Sequence, residues 1–234
     1  MSSNSLSNSN NAREGTQLKI VGITANSFID YPGKIAYMVF TYGCDMDCWY
    51  CHNREQMWSS EFIPEDEVLG DIFRRKDFVE AVVITGGEAT LQGEALLRFI
   101  PKIKEYGLCV KLDTNGNNPA VLKKLLPLLD YVAMDIKDAK FSARVKRSVD
   151  LLMQSSVAYE FRTTFSPDLT KEDIEEAAKQ IKGAPLYALQ QYRRLTYNPE
   201  YPQTAWRPHS TQYVFAAAQL ARKHVKTVVR GAQT

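Results

Sequence analysis

The stretch Tyr42–Asn53 reads Y-G-C-D-M-D-C-W-Y-C-H-N and places Cys44, Cys48 and Cys51 on one short loop. Three residues separate the first pair and two separate the second. Thiolates are soft ligands, and three of them this close suit iron or zinc better than they suit packing. A four-iron cluster ordinarily takes four cysteines, one per iron. The only other cysteine, Cys109, lies far along the chain in an apolar run and reads as a small core residue. A cluster on this loop would therefore keep one iron free of protein, where a small molecule can bind.

Ahead of the loop, Ile35–Phe40 is β-branched and aromatic and reads as a buried strand that delivers the cysteines. Leu18–Ile23 reads as a short edge strand. Beyond the loop, apolar strands alternate with helices. Pro64 opens a helix at its first turn, and Glu65, Asp66 and Glu67 suit its N-terminus. Val79–Ile84 is a continuous apolar strand ending in Thr85-Gly86-Gly87-Glu88. A helix follows from about Gly93 to Tyr106, with Pro101 inside it. Leu108–Leu112 is the next strand and ends in Asp113-Thr114-Asn115-Gly116. Pro119 starts another helix, and Tyr131–Ile136 carries Asp135, with Lys137 just past its end. Helix Phe141–Gln154, strand Val157–Thr164 with Arg162, a helix from a Thr170/Asp173 capping box to near Gly183, and strand Leu186–Gln190 follow. Arg193–His209 is a polar and aromatic loop with three prolines. Helix Thr211–His224 and a last strand, Lys226–Arg230, close the chain.

Six β-α units in series predict an α/β fold with a parallel sheet, too few for a closed eight-stranded barrel. An open partial (β/α)6 barrel fits. Working residues in such sheets lie at the carboxyl ends of strands. Cys44, Gly86, Asp113, Asp135, Arg162 and Gln190 all fall there.

Composition narrows the function. The chain has 234 residues, 44% apolar, and a net charge of +2. That is enough for a sizeable core, and too little positive charge to support nucleic-acid binding by charge alone. No apolar run reaches membrane-spanning length, and no signal peptide pattern opens the chain. Reduced thiols without an export signal predict a cytoplasmic protein. Residues 1–16 form a Ser/Asn-rich tail expected to be disordered, and 17–234 are expected to be a single domain.

The cysteine loop, with Tyr50 before its third cysteine, resembles the signature of the radical S-adenosylmethionine (SAM) superfamily. The continuation Cys51-His52-Asn53 is similar to the activating enzymes of glycyl radical enzymes. Ile29-Asp30-Tyr31-Pro32-Gly33-Lys34 and Gln190-Gln191-Tyr192 resemble more narrowly the activators of anaerobic ribonucleotide reductase. The resemblance implies the partial barrel and a [4Fe–4S] cluster on Cys44, Cys48 and Cys51 whose open iron chelates SAM. It implies SAM contacts from Tyr50, Asn53, Gly86, Gly87, Glu88, Asn115, Lys137, Arg162 and Arg193. Gly86-Gly87-Glu88 corresponds to the segment that grips the methionine amino group, although Ala89 stands where many members have proline. By similarity to pyruvate formate-lyase activating enzyme, Asp113, Thr114 and Asp135 would hold a monovalent cation beside the SAM carboxylate. Arg193 stands where that relative has a histidine near the ribose.

The implied activity is reductive cleavage of SAM to a 5′-deoxyadenosyl radical, which abstracts a glycine α-hydrogen from a partner glycyl radical enzyme. Anaerobic ribonucleoside-triphosphate reductase is the expected partner, with reduced flavodoxin or ferredoxin as electron donor. Two alternatives stand beside it: a radical SAM enzyme acting on a small molecule such as a deazapurine precursor, and a non-catalytic Fe–S or zinc module using the thiols and His52. Trp49, Tyr50 and Trp58 are candidates to shield a cluster from water.

Overall fold

The structure is a computed structural model that describes residues 17–194 and 207–232. Among these residues, eight strands form one sheet in sequence order: β1 (Ile20–Tyr31), β2 (Lys34–Thr41), β3 (Ala81–Gly86), β4 (Cys109–Thr114), β5 (Tyr131–Asp135), β6 (Ala158–Phe165), β7 (Tyr187–Gln191) and β8 (Thr227–Arg230). β1 runs antiparallel to β2, and every later pair is parallel. Among the described residues, six α-helices lie in the crossovers: α1 (Glu65–Arg75), α2 (Gly93–Glu105), α3 (Pro119–Leu125), α4 (Ala143–Gln154), α5 (Lys171–Gln180) and α6 (Thr211–Ala221). The expected six β-α units are all present. β1 and β8 stand at opposite edges and do not pair, so the barrel is open.

Alternation along the strands sorts side chains onto two faces. On the outer face, Val82 and Ile84, Val110 and Leu112, Val132 and Met134, and Phe161 join one core with Val68 and Ile72 of α1 and Leu96 and Phe99 of α2. Burying each such side chain is worth roughly 1.5–3 kcal/mol. The inner face is smaller and divided. Tyr31, Ala36, Met38, Ala81 and Val83 form an apolar floor under β1–β3. Lys111, Asp113, Asp135, Glu160 and Arg162 occupy inner positions of β4–β6.

The sequence reading needs correction at the first strand. β1 is a 12-residue strand rather than the short Leu18–Ile23. It pairs with β2 through a hairpin whose Pro32-Gly33 turn has Gly33 at φ 72°, the arrangement of a type II turn. Register shifts between Thr24 and Tyr31 break the alternation that would have marked it. The last helix ends at Ala221, a little before His224. The Thr170/Asp173 capping box forms as read: Thr170 N–H donates to Asp173 at 2.8 Å and Asp173 N–H to Thr170 at 3.2 Å. No helix among the described residues is long and apolar enough to cross a membrane. The expected tail over 1–16 and positions 195–206 of the Arg193–His209 loop lie outside the described residues.

Candidate active site

The cysteine loop leaves β2 at Thr41 and is held by its own backbone. Gly43 N–H donates to Met57 O at 2.8 Å, Met57 N–H to Asn53 O at 2.8 Å, and Cys51 N–H to Cys48 O at 3.0 Å. Met57 is buried beneath it. The Gly86–Glu88 turn at the end of β3 lies directly against this loop. Glu88 N–H donates to Gly43 O at 2.7 Å and Gly87 N–H to Thr41 O at 3.1 Å. Asn53 Nδ2 donates to Gly86 O at 3.1 Å. A Cβ on Gly87 would overlap the Gly43 carbonyl, and one on Gly86 would overlap the Thr41 backbone. Both glycines are therefore required for the two backbones to touch.

Glu88 is turned into the structure. Its carboxylate accepts from Thr90 N–H at 3.1 Å, the Thr90 hydroxyl, the Thr114 hydroxyl at 2.8 Å and Asn115 N–H at 2.6 Å. Burial raises this carboxyl, and the Asn115, Thr90 and Thr114 donors offset part of that. Glu88 thus ties the β3 and β4 ends together. The four donors it already holds account for its buried position without a ligand. Asn115 Nδ2 reaches across to Asp45 at 2.7 Å.

Opposite this turn stands a row of charges from β4, β6 and the end of β5. Lys111 Nζ donates to Asp113 Oδ1 at 2.6 Å. Arg162 Nη1 reaches Asp113 Oδ2 at 3.2 Å, and its Nε reaches Asp135 Oδ1 at 2.9 Å. Lys137 Nζ donates to Asp135 Oδ2 at 3.1 Å. Asp135 and Arg162 face each other in the β5–β6 register, and Lys111 and Asp113 share a face of β4. Burial would raise Asp135, but the Arg162 guanidinium and then Lys137 outweigh it and hold it down to about 2. Asp113 is lowered in the same way, by Arg162 and Lys111 against burial.

Between the two walls lies a cavity of about 240 Å³. It is lined by Cys44, Cys48, Cys51, Tyr50, Asn53, Gly86, Gly87, Glu88, Asp113, Thr114, Asn115, Asp135, Lys137 and Arg162, so all but one of the residues expected around the cluster and SAM converge here. The exception is Arg193. His52 and Thr85, both within the quoted motifs, line it too, and Met46, Met57 and Thr164, which were not singled out in the sequence, complete the lining. Thr164 was legible, because it sits two residues after Arg162 on the same face of β6. Lys111 carried the same signal as Arg162, a charge inside an apolar strand.

The donor set fits a [4Fe–4S] cluster. The three thiols are free, half-buried and on one cavity. Burial pushes the Cys44 thiol up to about 11 and raises Cys48 too, so a thiolate there calls for the positive charge that iron supplies. A single zinc needs four ligands converging on one point. Among the described residues, no three His, Cys, Asp or Glu side chains gather in that way. The expected cation set fits less well. Each carboxylate oxygen of Asp113 and Asp135 already accepts from a cationic side chain, and the Thr114 hydroxyl is given to Glu88.

A second cavity, of about 660 Å³, adjoins the first and shares His52, Arg162 and Thr164 with it. Ile29, Asp30 and Pro32 of the β1–β2 hairpin line one side, and Arg230 and Gly231 at β8 line the other. It therefore lies between the two unpaired edges of the sheet. Arg193 stands in this wall with Gln190 and Gln191. Glu160 is buried at its base and held by Arg230 at 2.8 and 2.7 Å. Trp49 packs on Tyr50 and Tyr192 over the cysteine loop. Trp58 is half exposed against Tyr42, outside the cavity, so it is not placed to shield a cluster.

The sequence pattern of the radical SAM superfamily matches residues 38–181. A Methanocaldococcus jannaschii protein with the provisional name of a glycyl-radical enzyme activating enzyme is 35% identical over 231 residues, covering 90% of this chain and 94% of its own length. The pyruvate formate-lyase-activating enzyme of Clostridium pasteurianum is 30% identical over 183 residues, 70% of this chain and 76% of that one. Among solved structures, Streptococcus suis SuiB bound to S-adenosylmethionine superposes with a TM-score of 0.58 at 14% identity, over 81% of this chain and 48% of SuiB. That likeness concerns the fold.

Proposed function

The chain belongs to the radical SAM superfamily, and on that premise we propose that it activates a glycyl radical enzyme. When bound, a [4Fe–4S] cluster would supply the electron for reductive cleavage of SAM, the source of the radical chemistry that takes a hydrogen atom from a glycine α-carbon of the partner. Cys44, Cys48 and Cys51 hold the cluster. The Gly86–Glu88 backbone and Asn53 form the wall against which the methionine amino group lies. Arg162 and Lys137, with Asn115, receive the carboxylate and ribose from the opposite wall. Tyr50 and Trp49 cover the loop and exclude water.

The observation that carries the reading is the pairing of two cavities. The thiol-lined one opens beside a larger one at the gap between β1 and β8. A gap between two sheet edges admits a loop of another protein, which a closed barrel would not. The names carried by the relatives point to the same class of substrate. The finer assignment to anaerobic ribonucleoside-triphosphate reductase rests on Ile29–Lys34 and Gln190-Gln191-Tyr192. Reduced flavodoxin or ferredoxin serves as donor in this reading.

Electron paramagnetic resonance of the anaerobically reconstituted, reduced protein tests the first part. A four-iron signal that changes on adding SAM is expected. A cluster signal indifferent to SAM would instead assign an electron-transfer role. Changing Cys44, Cys48 or Cys51 to alanine abolishes the signal, whereas Cys109→Ala keeps it. For the partner, mixing with anaerobic ribonucleoside-triphosphate reductase and, separately, with pyruvate formate-lyase should give a glycyl radical signal in the first mixture. SAM cleavage that needs a metabolite and no protein would favour the small-molecule reading.

A further inference from the structure

Lys111 belongs to the row of charges and lines the second cavity, but the proposed function gives it no role. It stands in the middle of β4 with its side chain 2% exposed, and a lysine buried to that degree needs a reason. Its ammonium donates to Asp113 Oδ1 at 2.6 Å and to the Asp30 carbonyl of the β1–β2 hairpin at 2.6 Å. With Arg162 and Lys137 it completes a row that alternates in sign: Lys111, Asp113, Arg162, Asp135, Lys137. Three cations face two carboxylates, and all four carboxylate oxygens are taken. A metal ion entering this row would have to displace an ammonium or a guanidinium and would add charge to a group that is already net positive. An anion such as a substrate carboxylate would be welcome in the same place.

We infer that the chain supplies the charge a monovalent metal cation would bring to Asp113 and Asp135 from its own side chains, Arg162 in the thiol-lined cavity and Lys111 from the second-cavity side of Asp113, so that SAM binding here does not depend on such a cation. Lys111 acts as a positioning residue. It neutralises the outer oxygen of Asp113 and leaves the guanidinium of Arg162 shared between the two aspartates. It also anchors the hairpin that walls the second cavity. The inference rests on the reading that SAM binds the thiol-lined cavity.

The test measures SAM affinity of the cluster-loaded protein in potassium chloride, sodium chloride and choline chloride at equal ionic strength. Affinity should agree within about twofold across the three, since all are screened alike. A tenfold or greater loss in choline would overturn the inference while leaving SAM binding intact. No SAM binding in any salt would overturn the underlying reading, and the inference with it. Lys111→Met, which keeps the length of the side chain, frees Asp113 Oδ1 and should create the dependence that the natural chain lacks, at least tenfold in favour of potassium over choline. Equal weakening in every salt would show that Lys111 does not stand in for a cation. A readout without cluster or SAM runs beside it, the thermal midpoint of the cluster-free protein. Potassium should leave the natural chain unchanged relative to choline and raise the midpoint of Lys111→Met. If that variant does not fold, the salt comparison on the natural chain decides alone.

Discussion

On one side of the thiol-lined cavity the Gly86–Glu88 turn meets the Gly43–Cys44 backbone with no side chain between them. On the other, five charged side chains from β4, β6 and the end of β5, with Lys137 just past it, face each other in alternating sign. The first wall is set by how closely two backbones approach. A methyl group is too much for it, but it carries little charge. The second wall is set by charge balance. It has room for side chains of different shape, but not for an unpaired carboxylate. The same cavity is thus sensitive to volume on one side and to charge on the other, and substitutions can separate the two.

The largest effect is expected from Gly87→Ala. Its Cβ would fall on the Gly43 carbonyl oxygen, and neither backbone can yield without breaking the Glu88 N–H to Gly43 O bond. The Cys44 end of the loop must then move. Iron and sulfide content after anaerobic reconstitution should fall to background while the chain remains folded. Full cluster content in Gly87→Ala would show that backbone contact does not position the loop.

Arg162→Leu attacks the other wall. It leaves Asp113 with Lys111 alone and Asp135 with Lys137 alone, so the loss should stay below the roughly 3–5 kcal/mol of a fully orphaned buried charge. The urea midpoint should drop accordingly. Arg162→Lys should recover only part of the loss, because an ammonium lacks the fork that reaches both carboxylates. Complete recovery by lysine would mean that charge alone matters and the bridging geometry does not.

The walls also differ in pH response. Asp113 and Asp135 are lowered in the fold, Asp135 to about 2. Their contribution is therefore present above the unfolded value of about 3.9 and is lost as pH falls from there towards 2. Glu88 is raised by burial and has the opposite sign. Its contribution is present below the unfolded value of about 4.3 and fades as pH rises through its folded value. Urea midpoints of Asp135→Asn and Glu88→Gln, followed against pH beside the natural chain, should diverge in opposite directions. Parallel curves would remove the distinction.

How far this was legible in the sequence follows the same division. Apolar runs marked β2, β3, β5 and β7, whose middle residues are buried, and buried strands announce themselves by composition. β1 was cut short because polar Asn26, Ser27 and Asp30 interrupt its bulged second half, where Ser27 is buried beside exposed Asn26 and Phe28 and the two-residue period fails. The glycines were legible as a close approach, but to a ligand. That they pack on Gly43 depends on which strands are neighbours, and one strand's residues do not carry that. Glu88 was read as a ligand to an amine, yet its four donors come from residues 90, 114 and 115. Arg162 stood out as a charge in an apolar strand, and Lys111 offered the same sign. It went unread because Asp113, two residues on, already had a role.

The smallest predicted effect isolates volume from everything else. Gly70→Ala adds the same methyl group as Gly87→Ala, on the same chain, in a place where nothing stands in its way. Gly70 lies within α1 with helical neighbours, and the nearest foreign atom to its Cβ would be the mobile end of Arg74, at 3.6 Å. An interior helical glycine costs about 0.5–1 kcal/mol relative to alanine, because its unfolded chain has more freedom to lose. Gly70→Ala should therefore raise the urea midpoint slightly and leave iron and sulfide content unchanged. Were it to lose cluster as Gly87→Ala does, the loss in both would come from a general loosening of the chain. The backbone contact at Gly43 would then no longer be the cause.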